Sequence, residues 1–194
     1  MSTIQQFLRD HAISEVEAII PDMAGVARGK IMPAEKYAED EGMRLPEGIF
    51  LQTVTGEWPE DDSVINQSEI DIDLVGDGNT IRVVPWAAEP TAQVIHDCFY
   101  DDGRVVPMSP RYVLRRVLEL YAARGWQPVV APELEFFLVD PNTDSDYPLK
   151  PPVGRSGRPE TGRQSYSIAA VNEFDPLFDD IYAFCEAQEI EIDT

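Results

Sequence analysis

Two glutamates, Glu133 and Glu135, have the residue type and the spacing to hold a metal ion. The segment Gln127 to Asp140 around them is apolar enough to predict a buried β-strand. On such a strand both carboxylates share one face, with their Cα atoms about 6.5–7 Å apart. They repel each other, and burial penalises their charge unless a cation lies beside them. Their oxygens favour Mg²⁺ or Mn²⁺, although the spacing is equally typical of an exposed strand whose glutamates face solvent.

The elements that precede this segment predict a first domain over residues 1–104, built as a small mixed sheet with one or two helices. A turn at Asp22 to Gly25 separates its first two strands. Another turn, at Asp101 to Gly103, predicts the end of the domain. The predicted helices are Thr3 to His11 and Ala34 to Asp40, and the predicted strands are Glu15 to Ile20, Val26 to Met32, Ile70 to Leu74, Thr80 to Val84 and Thr91 to Phe99.

The region over residues 105–194 predicts the beginning of a second domain. Ser109 and Pro110 have the types preferred at the start of a helix, and Gly125 predicts its end. The strand with the two glutamates comes next. A Pro/Gly/Arg-rich stretch from Pro141 to Gln164 then predicts a long loop.

The last predicted helix carries an apolar stripe at spacings of three and four residues. Its members are Phe174, Leu177, Phe178, Ile181, Tyr182 and Cys185. The alternating stretch Glu189 to Asp193 predicts a strand that no turn closes. We therefore interpret Thr194 as a truncation point and expect the second domain to be incomplete.

Charge and composition exclude several classes of partner. With 36 acidic and 15 basic residues the formal net charge is −21, which repels nucleic acid and anionic membranes. We expect no signal peptide, and no apolar run comes near the roughly 20 residues that span a bilayer, so we expect a cytoplasmic protein. Cys98 and Cys185 lie far apart among apolar neighbours and are interpreted as small buried hydrophobes, not as a redox pair.

Three motifs together are similar to those of a known family. The stretch Glu133 to Phe136 resembles the E-x-E-F strand of glutamine synthetases. The stretch Asp22 to Lys30 resembles the D-x-x-G-x-x-R-G-K hairpin of that family's N-terminal β-grasp domain. Asn66 to Glu69 resembles the N-E-S-D stretch after the amine-site loop. Their order and spacing fit the family along the whole chain.

The resemblance implies an α+β fold: a β-grasp domain over residues 1–104, then the start of a glutamine-synthetase-type catalytic domain over residues 105–194. It makes Glu133 and Glu135 ligands of two different metal ions, Mg²⁺ or Mn²⁺. It also implies ATP as co-substrate and a homo-oligomer in a double hexameric ring. The family's other metal ligands and most nucleotide contacts are expected beyond Thr194, so residues 1–194 alone are expected to be inactive.

Within the family, the chain most resembles the γ-glutamylpolyamine branch, which includes γ-glutamylputrescine synthetases. Tyr166, in the loop ending Gln164 to Ser167, is then expected near the incoming amine, although it could equally be a packing anchor. The ammonia-binding Asp-Gly-Ser-Ser loop is replaced here by Gln52 to Trp58. Glu57 or Trp58 could meet an alkylammonium group there, or Trp58 could pack at a subunit interface.

The implied reaction is ATP-dependent ligation of the glutamate γ-carboxyl to an amine through γ-glutamyl phosphate. The expected partners are glutamate, ATP and an amine, with a polyamine such as putrescine as the amine. Two alternatives stay open from the sequence: a glutamine synthetase that uses ammonia, and a glutamine-synthetase-like protein without catalysis.

Overall fold

The computed structural model describes residues 2–61, 63, 70–162 and 165–193. The motif at residues 66–69 and the loop residue Gln164 lie outside the described residues. The chain divides into two compact units, Met1–Pro128 with Ala187–Glu189, and Val129–Glu186 with Ile190–Thr194. The domain boundary between residues 104 and 105 stays a prediction.

A mixed β-sheet forms the centre of the first unit, in the strand order β2-β1-β6-β4-β3 with β5 on the side of β6. Strand β6 is parallel to β1 and antiparallel to β4 and β5, while the β1–β2 and β3–β4 pairs are antiparallel. The strands are β1 Glu15–Pro21, β2 Ala27–Pro33, β3 Gly42–Pro46, β4 Asp71–Gly76, β5 Arg82–Val83 and β6 Thr91–Phe99. The helices of this unit are α1 Thr3–Asp10, α2 Ala34–Asp40 and α3 Pro110–Ala122, with short 3₁₀ turns at Glu47–Leu51 and Gly78–Thr80.

The predicted mixed sheet is confirmed. The segments with the clearest sequence patterns form the helices and strands that were predicted for them. Strand β6 and helix α2 have the predicted bounds, and β1 and β2 agree within one residue. Gly25 takes a φ of +79° in the turn between β1 and β2, as the sequence predicts. Strand β3 was not predicted, and the predicted strand Thr80 to Val84 shrinks to the two residues of β5.

Alternation along β1 explains the core. Val16, Ala18 and Ile20 point to one face and are fully buried, while the residues between them are partly exposed. Helix α1 covers this face with Ile4 and Leu8. A second cluster, nearer the β4 side, comprises Ile20, Leu45, Phe50, Ile72, Leu74, Cys98 and Val106.

Both cysteines are free thiols. Cys98 is buried in the second cluster, and burial raises the pKa of its thiol to about 11, so that it stays protonated at neutral pH. Cys185 is half-buried on the last helix. The interpretation of the two cysteines as apolar packing residues, not as a redox pair, agrees with this arrangement.

Helix α3 begins as predicted, with Ser109 at its N-cap and Pro110 at its first position, and it ends at Ala122, just before the left-handed Gly125. An apolar face of this helix is exposed. Val113, Val117, Leu120 and Tyr121 each keep 39 % or more of their surface accessible.

The second unit contains two helices, α4 Ile168–Asn172 and α5 Asp175–Ala187. Residues 141–162 form a loop, as predicted, with one isolated bridge between Val153 and Pro159. The apolar stripe of α5 is half-buried at Leu177, Phe178 and Ile181.

Two predicted strands of this unit are wrong. Residues 127–140 and 189–193 have neither helix nor strand structure. Leu134 is 88 % exposed and Phe137 is 96 % exposed, so the first segment is not buried either. A strand needs a neighbour for its backbone N–H and C=O groups, and the described part of the chain supplies none for these segments.

Among the described residues, no helix combines the length and the apolar character needed to cross a lipid bilayer.

Candidate active site

Glu133 and Glu135 lie in the second unit, in the segment that lacks a strand, and both side chains are exposed to solvent. The predicted strand that would align them is therefore wrong, whereas the alternative that both glutamates face solvent agrees with their exposure. Their separation by a single residue still limits their Cα atoms to about 7 Å apart in any backbone conformation. The pair thus keeps two carboxylates close together without a strand to align them.

The chemistry of this donor pair fits a hard divalent cation. Carboxylate oxygens are the preferred ligands of Mg²⁺ and Mn²⁺, and both carboxylates are accessible from solvent. Over the described residues, however, no group of three or more His, Cys, Asp or Glu side chains is placed to hold a metal. Glu133 and Glu135 are therefore suited to supply part of the ligands of a metal ion, and not all of them.

The loop of residues 52–58, in the first unit, closes on itself through three hydrogen bonds. The Thr53 amide donates to the Glu57 carbonyl at 2.9 Å, and the Gly56 amide donates to the Thr53 carbonyl at 3.0 Å. The Glu57 amide also donates to Thr53 Oγ1 at 3.1 Å. Gly56 takes a φ of +83°, which favours glycine, so the sequence of the loop suits its shape.

This closed loop presents Glu57 and Trp58 to solvent. The Thr55 hydroxyl donates to Glu57 Oε2 at 3.3 Å and orients the carboxylate. Trp58 is 55 % exposed, a large value for an indole. An anionic group and an aromatic face next to each other are the two groups that attract an alkylammonium ion.

The turn between β1 and β2 is fastened to this loop by one arginine. Arg28 donates from Nε to Asp22 Oδ2 at 2.7 Å and from Nη2 to the Thr53 carbonyl at 3.1 Å. Asp22 is buried, and its other oxygen accepts the amides of Ala24 and Val26 at 2.9 and 2.8 Å. Burial alone would raise the pKa of Asp22, but the Arg28 hydrogen bond and these amides together hold that pKa below its ordinary value.

A second anchor lies just before the loop. Glu47 is buried at the start of a 3₁₀ turn and accepts the Tyr100 hydroxyl at 2.5 Å. Burial first, and then this hydrogen bond, raise the pKa of Tyr100 to about 12, so that it stays a donor. The chain thus enters the 52–58 loop from a fixed point.

Arg28 belongs to the motif from Asp22 to Lys30, but the sequence pattern alone assigns it no role. Arg28 and Thr53 are 25 residues apart, and no local pattern predicts which carbonyl an arginine will reach. In the sequence, the only indication of this contact is that the hairpin motif contains an arginine and that a separate loop follows it.

Tyr166 lies in the second unit, in a turn before α4, with a φ of +58° and a fully exposed side chain. A left-handed conformation is uncommon for a residue with a bulky side chain. Because the Tyr166 side chain is fully exposed, the packing-anchor alternative finds no support within the unit. Its role at an amine site stays a prediction, as does that of Glu57 in the first unit.

The chain is similar to known proteins of one family. Residues 107–194 match the family described as glutamine synthetase, catalytic domain. Over 188 residues, or 92 % of the chain, the sequence is 30 % identical to gamma-glutamylputrescine synthetase PuuA of Escherichia coli (strain K12). Residues 107–194 thus match the glutamine synthetase family, and most of the chain is similar to a relative of that family. A second relative in this family, glutamate–isopropylamine ligase of Pseudomonas sp., is 28 % identical over 71 % of the chain.

The fold is similar to that of a solved structure. A solved structure described as a novel glutamine synthase homolog superposes with a TM-score of 0.66 over 94 % of the chain, at 19 % identity. At that identity the likeness concerns the fold alone. The chain spans 38 % of the Escherichia coli relative, 31 % of the Pseudomonas relative and 40 % of this solved structure.

Proposed function

We propose that the protein is an ATP-dependent ligase that joins the γ-carboxyl of glutamate to an amine, and that the amine is a polyamine such as putrescine. The γ-carboxyl is first phosphorylated by ATP to γ-glutamyl phosphate, and the amine nitrogen then attacks the acyl carbon and releases phosphate. The observation that carries this proposal is the similarity of 92 % of the chain to an enzyme named for γ-glutamylation of putrescine. The second relative is also named as a glutamate–amine ligase.

The residues have separate roles in this proposal. Glu133 and Glu135 hold Mg²⁺ or Mn²⁺ as part of a larger ligand set. When bound, the metal neutralises charge on the phosphoryl group being transferred. Glu57 attracts the ammonium end of the amine, Trp58 offers its ring to the same cation, and Tyr166 lies near the amine.

We also propose how the subunits assemble. The mixed sheet of the first unit is taken as the β-grasp domain, which completes the active site of a neighbouring subunit in a double hexameric ring. This places the 52–58 loop of one subunit at the amine site of the next. The net charge of −21 supports a cationic substrate, because it raises the local concentration of polyamines near the protein surface.

The metal pair is tested by substitution. In the full-length protein, Glu133→Ala and Glu135→Ala are each expected to lower kcat at least about 100-fold, since each removes a charged ligand near the transferring phosphoryl group. Phosphate release with glutamate, ATP and Mg²⁺ is the measurement. Glu186→Ala, which removes an exposed carboxylate on α5, is the matched control and should stay near wild type. Wild-type turnover in both metal-pair variants would eliminate the metal role.

The amine is tested with a panel of substrates. Putrescine or a longer polyamine is expected to give a higher kcat/KM than ammonium, and Glu57→Gln and Trp58→Ala should lower kcat/KM for the polyamine about two- to thirtyfold. Their effect on any reaction with ammonium should be smaller, since ammonium has no alkyl chain to contact them. Higher kcat/KM with ammonium would instead indicate a glutamine synthetase. No turnover with any amine would indicate a non-catalytic relative.

A further inference from the structure

We propose that Arg28 is a positioning residue for the amine site: held by Asp22, it fixes the shape of the 52–58 loop and thereby helps to select the amine. This inference rests on the proposed function for the identity of the site. The fastening of the loop itself rests on the geometry of the first unit alone.

Arg28 connects a rigid part of the sheet to the loop. Its partner Asp22 closes the β1–β2 turn with two backbone amides and has a side chain with no exposed surface. Arg28 itself has a side chain only 19 % exposed. A charged group with so little water around it makes stronger hydrogen bonds than a surface ion pair. Arg28 is therefore held firmly in place and can fix the position of the second group that it contacts.

The second group that Arg28 contacts is the Thr53 carbonyl, which also takes part in the hydrogen bonds that close the loop. The same carbonyl accepts the Gly56 amide, and the Thr53 hydroxyl accepts the Glu57 amide. By fixing the Thr53 peptide, Arg28 sets the direction in which the following residues present the Glu57 carboxylate and the Trp58 ring. Among the hydrogen bonds of the described residues, loss of this contact leaves the loop with only its internal ones.

The geometry requires an arginine. Nε and Nη2 lie on one side of a planar guanidinium, so one side chain donates to Asp22 and to Thr53 at the same time. A lysine ammonium can keep the ion pair with Asp22, but it lacks the rigid fork that directs a second donor at the Thr53 carbonyl. Arg28→Lys therefore separates the ion pair from the fixing of the loop.

Hydrogen exchange tests the fastening on the 194-residue chain, without any assumption about activity. In Arg28→Gln, the amides of Thr53, Gly56 and Glu57 are expected to exchange about tenfold faster, whereas amides of β1 and β6 stay protected. Arg44→Gln is the matched control, because Arg44 forms a surface ion pair with Asp73 at 2.7 Å and has a side chain that is 64 % exposed. Unchanged loop exchange in Arg28→Gln would overturn the positioning role.

Kinetics of the full-length protein test the selection. Arg28→Gln is expected to raise KM for the polyamine about tenfold and to leave KM for glutamate and ATP within about twofold, with Arg28→Lys intermediate. Faster loop exchange with an unchanged ratio of kcat/KM for polyamine over ammonium would overturn the role in amine selection. Absence of amine-dependent turnover in the wild type would overturn the proposed function and with it the selection, while the exchange measurement still decides the fastening.

Discussion

At the scale of single residues, Tyr37 and His96 form a buried polar pair with a defined protonation state. His96 Nδ1 lies 3.0 Å from the Val94 carbonyl and 3.3 Å from the Ile19 carbonyl, so it carries a proton and donates. Its Nε2 lies 2.9 Å from the Tyr37 hydroxyl, which therefore donates to an unprotonated nitrogen. His96 lies within β6, inside the predicted strand Thr91 to Phe99, and is fully buried.

The stability of the first unit should fall in mild acid because of this pair. Burial, together with the repulsion from Arg111, outweighs the two carbonyls and Asp97 and lowers the pKa of His96 below 6.5. The contribution of the neutral ring is therefore complete above about pH 6.5 and is lost as the pH falls through the lowered folded pKa. Urea unfolding of the wild type between pH 7 and pH 5 should show this loss.

His96→Gln should flatten that pH dependence, whereas substitution of the exposed His11 by Gln should leave it intact. Asp22 and Asp77 also have lowered pKa values, but their ordinary value is 3.8, so their contributions are lost only at lower pH. An unchanged slope in His96→Gln over this window would contradict the assignment to His96.

At the scale of elements, four charged side chains fasten helix α3 to the sheet. Arg111 binds Asp97 at 2.8 Å and also forms an ion pair with Asp77, which precedes a 3₁₀ turn. Arg115, one turn later, binds the same two aspartates at 2.8 and 3.2 Å. The apolar face of α3 is largely exposed, so this network makes a large part of its attachment.

The two arginines should differ in their contribution to stability. Arg111→Met leaves two partly buried aspartates close together and is expected to lower the free energy of unfolding by about 2–3 kcal/mol. Arg115→Met should cost about 0–1 kcal/mol, because the Arg115 side chain is 49 % exposed and water screens its ion pairs. Denaturant unfolding in low and high salt would measure both. Equal losses would show that exposure does not govern this network.

A helix or strand could be predicted from the sequence when the pattern that specifies it lies within the element itself. Burial alternates along strand β6 from Ala92 to Phe99, and the strand was predicted with its observed bounds. Strand β3 has no alternation that marks it, since Gly42–Pro46 is ordered by pairing with β4. Residues 127–140 are the opposite case. Their apolar composition predicts a strand, but such a segment forms a strand only where a neighbouring strand pairs with it.

The candidate site was predictable as residue types and not as contacts. Glu133, Glu135 and Glu57 stand out through their motifs, since short spacings are visible in the sequence. The Arg28 contact to Thr53 depends on how the β1–β2 turn and a distant loop meet in the folded unit. Such a contact requires the three-dimensional structure, because any of several backbone carbonyls could accept from an arginine.

At the scale of the whole molecule, strong negative charge coexists with exposed apolar side chains. The charge of −21 keeps copies of the chain apart at low salt. Between residues 129 and 137 the apolar side chains are open to solvent: Val129, Val130, Leu134 and Phe137 are each at least 82 % exposed. Patches of this kind promote association between copies.

The 194-residue chain is therefore expected to self-associate, and more so in salt, because screening removes the repulsion while leaving the apolar attraction. Sedimentation velocity at 20 mM and 500 mM NaCl would measure it. The double variant Leu134→Ser and Phe137→Ser should reduce association several-fold. Met23→Ser, which removes an exposed apolar side chain from the first unit, should not. A monomer at all salt concentrations would contradict this expectation.

The parallel pairing of β1 with β6 has a consequence for synthesis on the ribosome. The paired residues Glu17 and Gln93 are 76 positions apart, so at about 5–20 residues per second β1 waits about 4–15 s for its neighbour. The β1–β2 hairpin can form early because its two strands are joined by a short turn. Until Thr91–Phe99 has emerged, the nascent hairpin has an open edge, and a slow or stalled ribosome prolongs its exposure to chaperones and to other nascent chains.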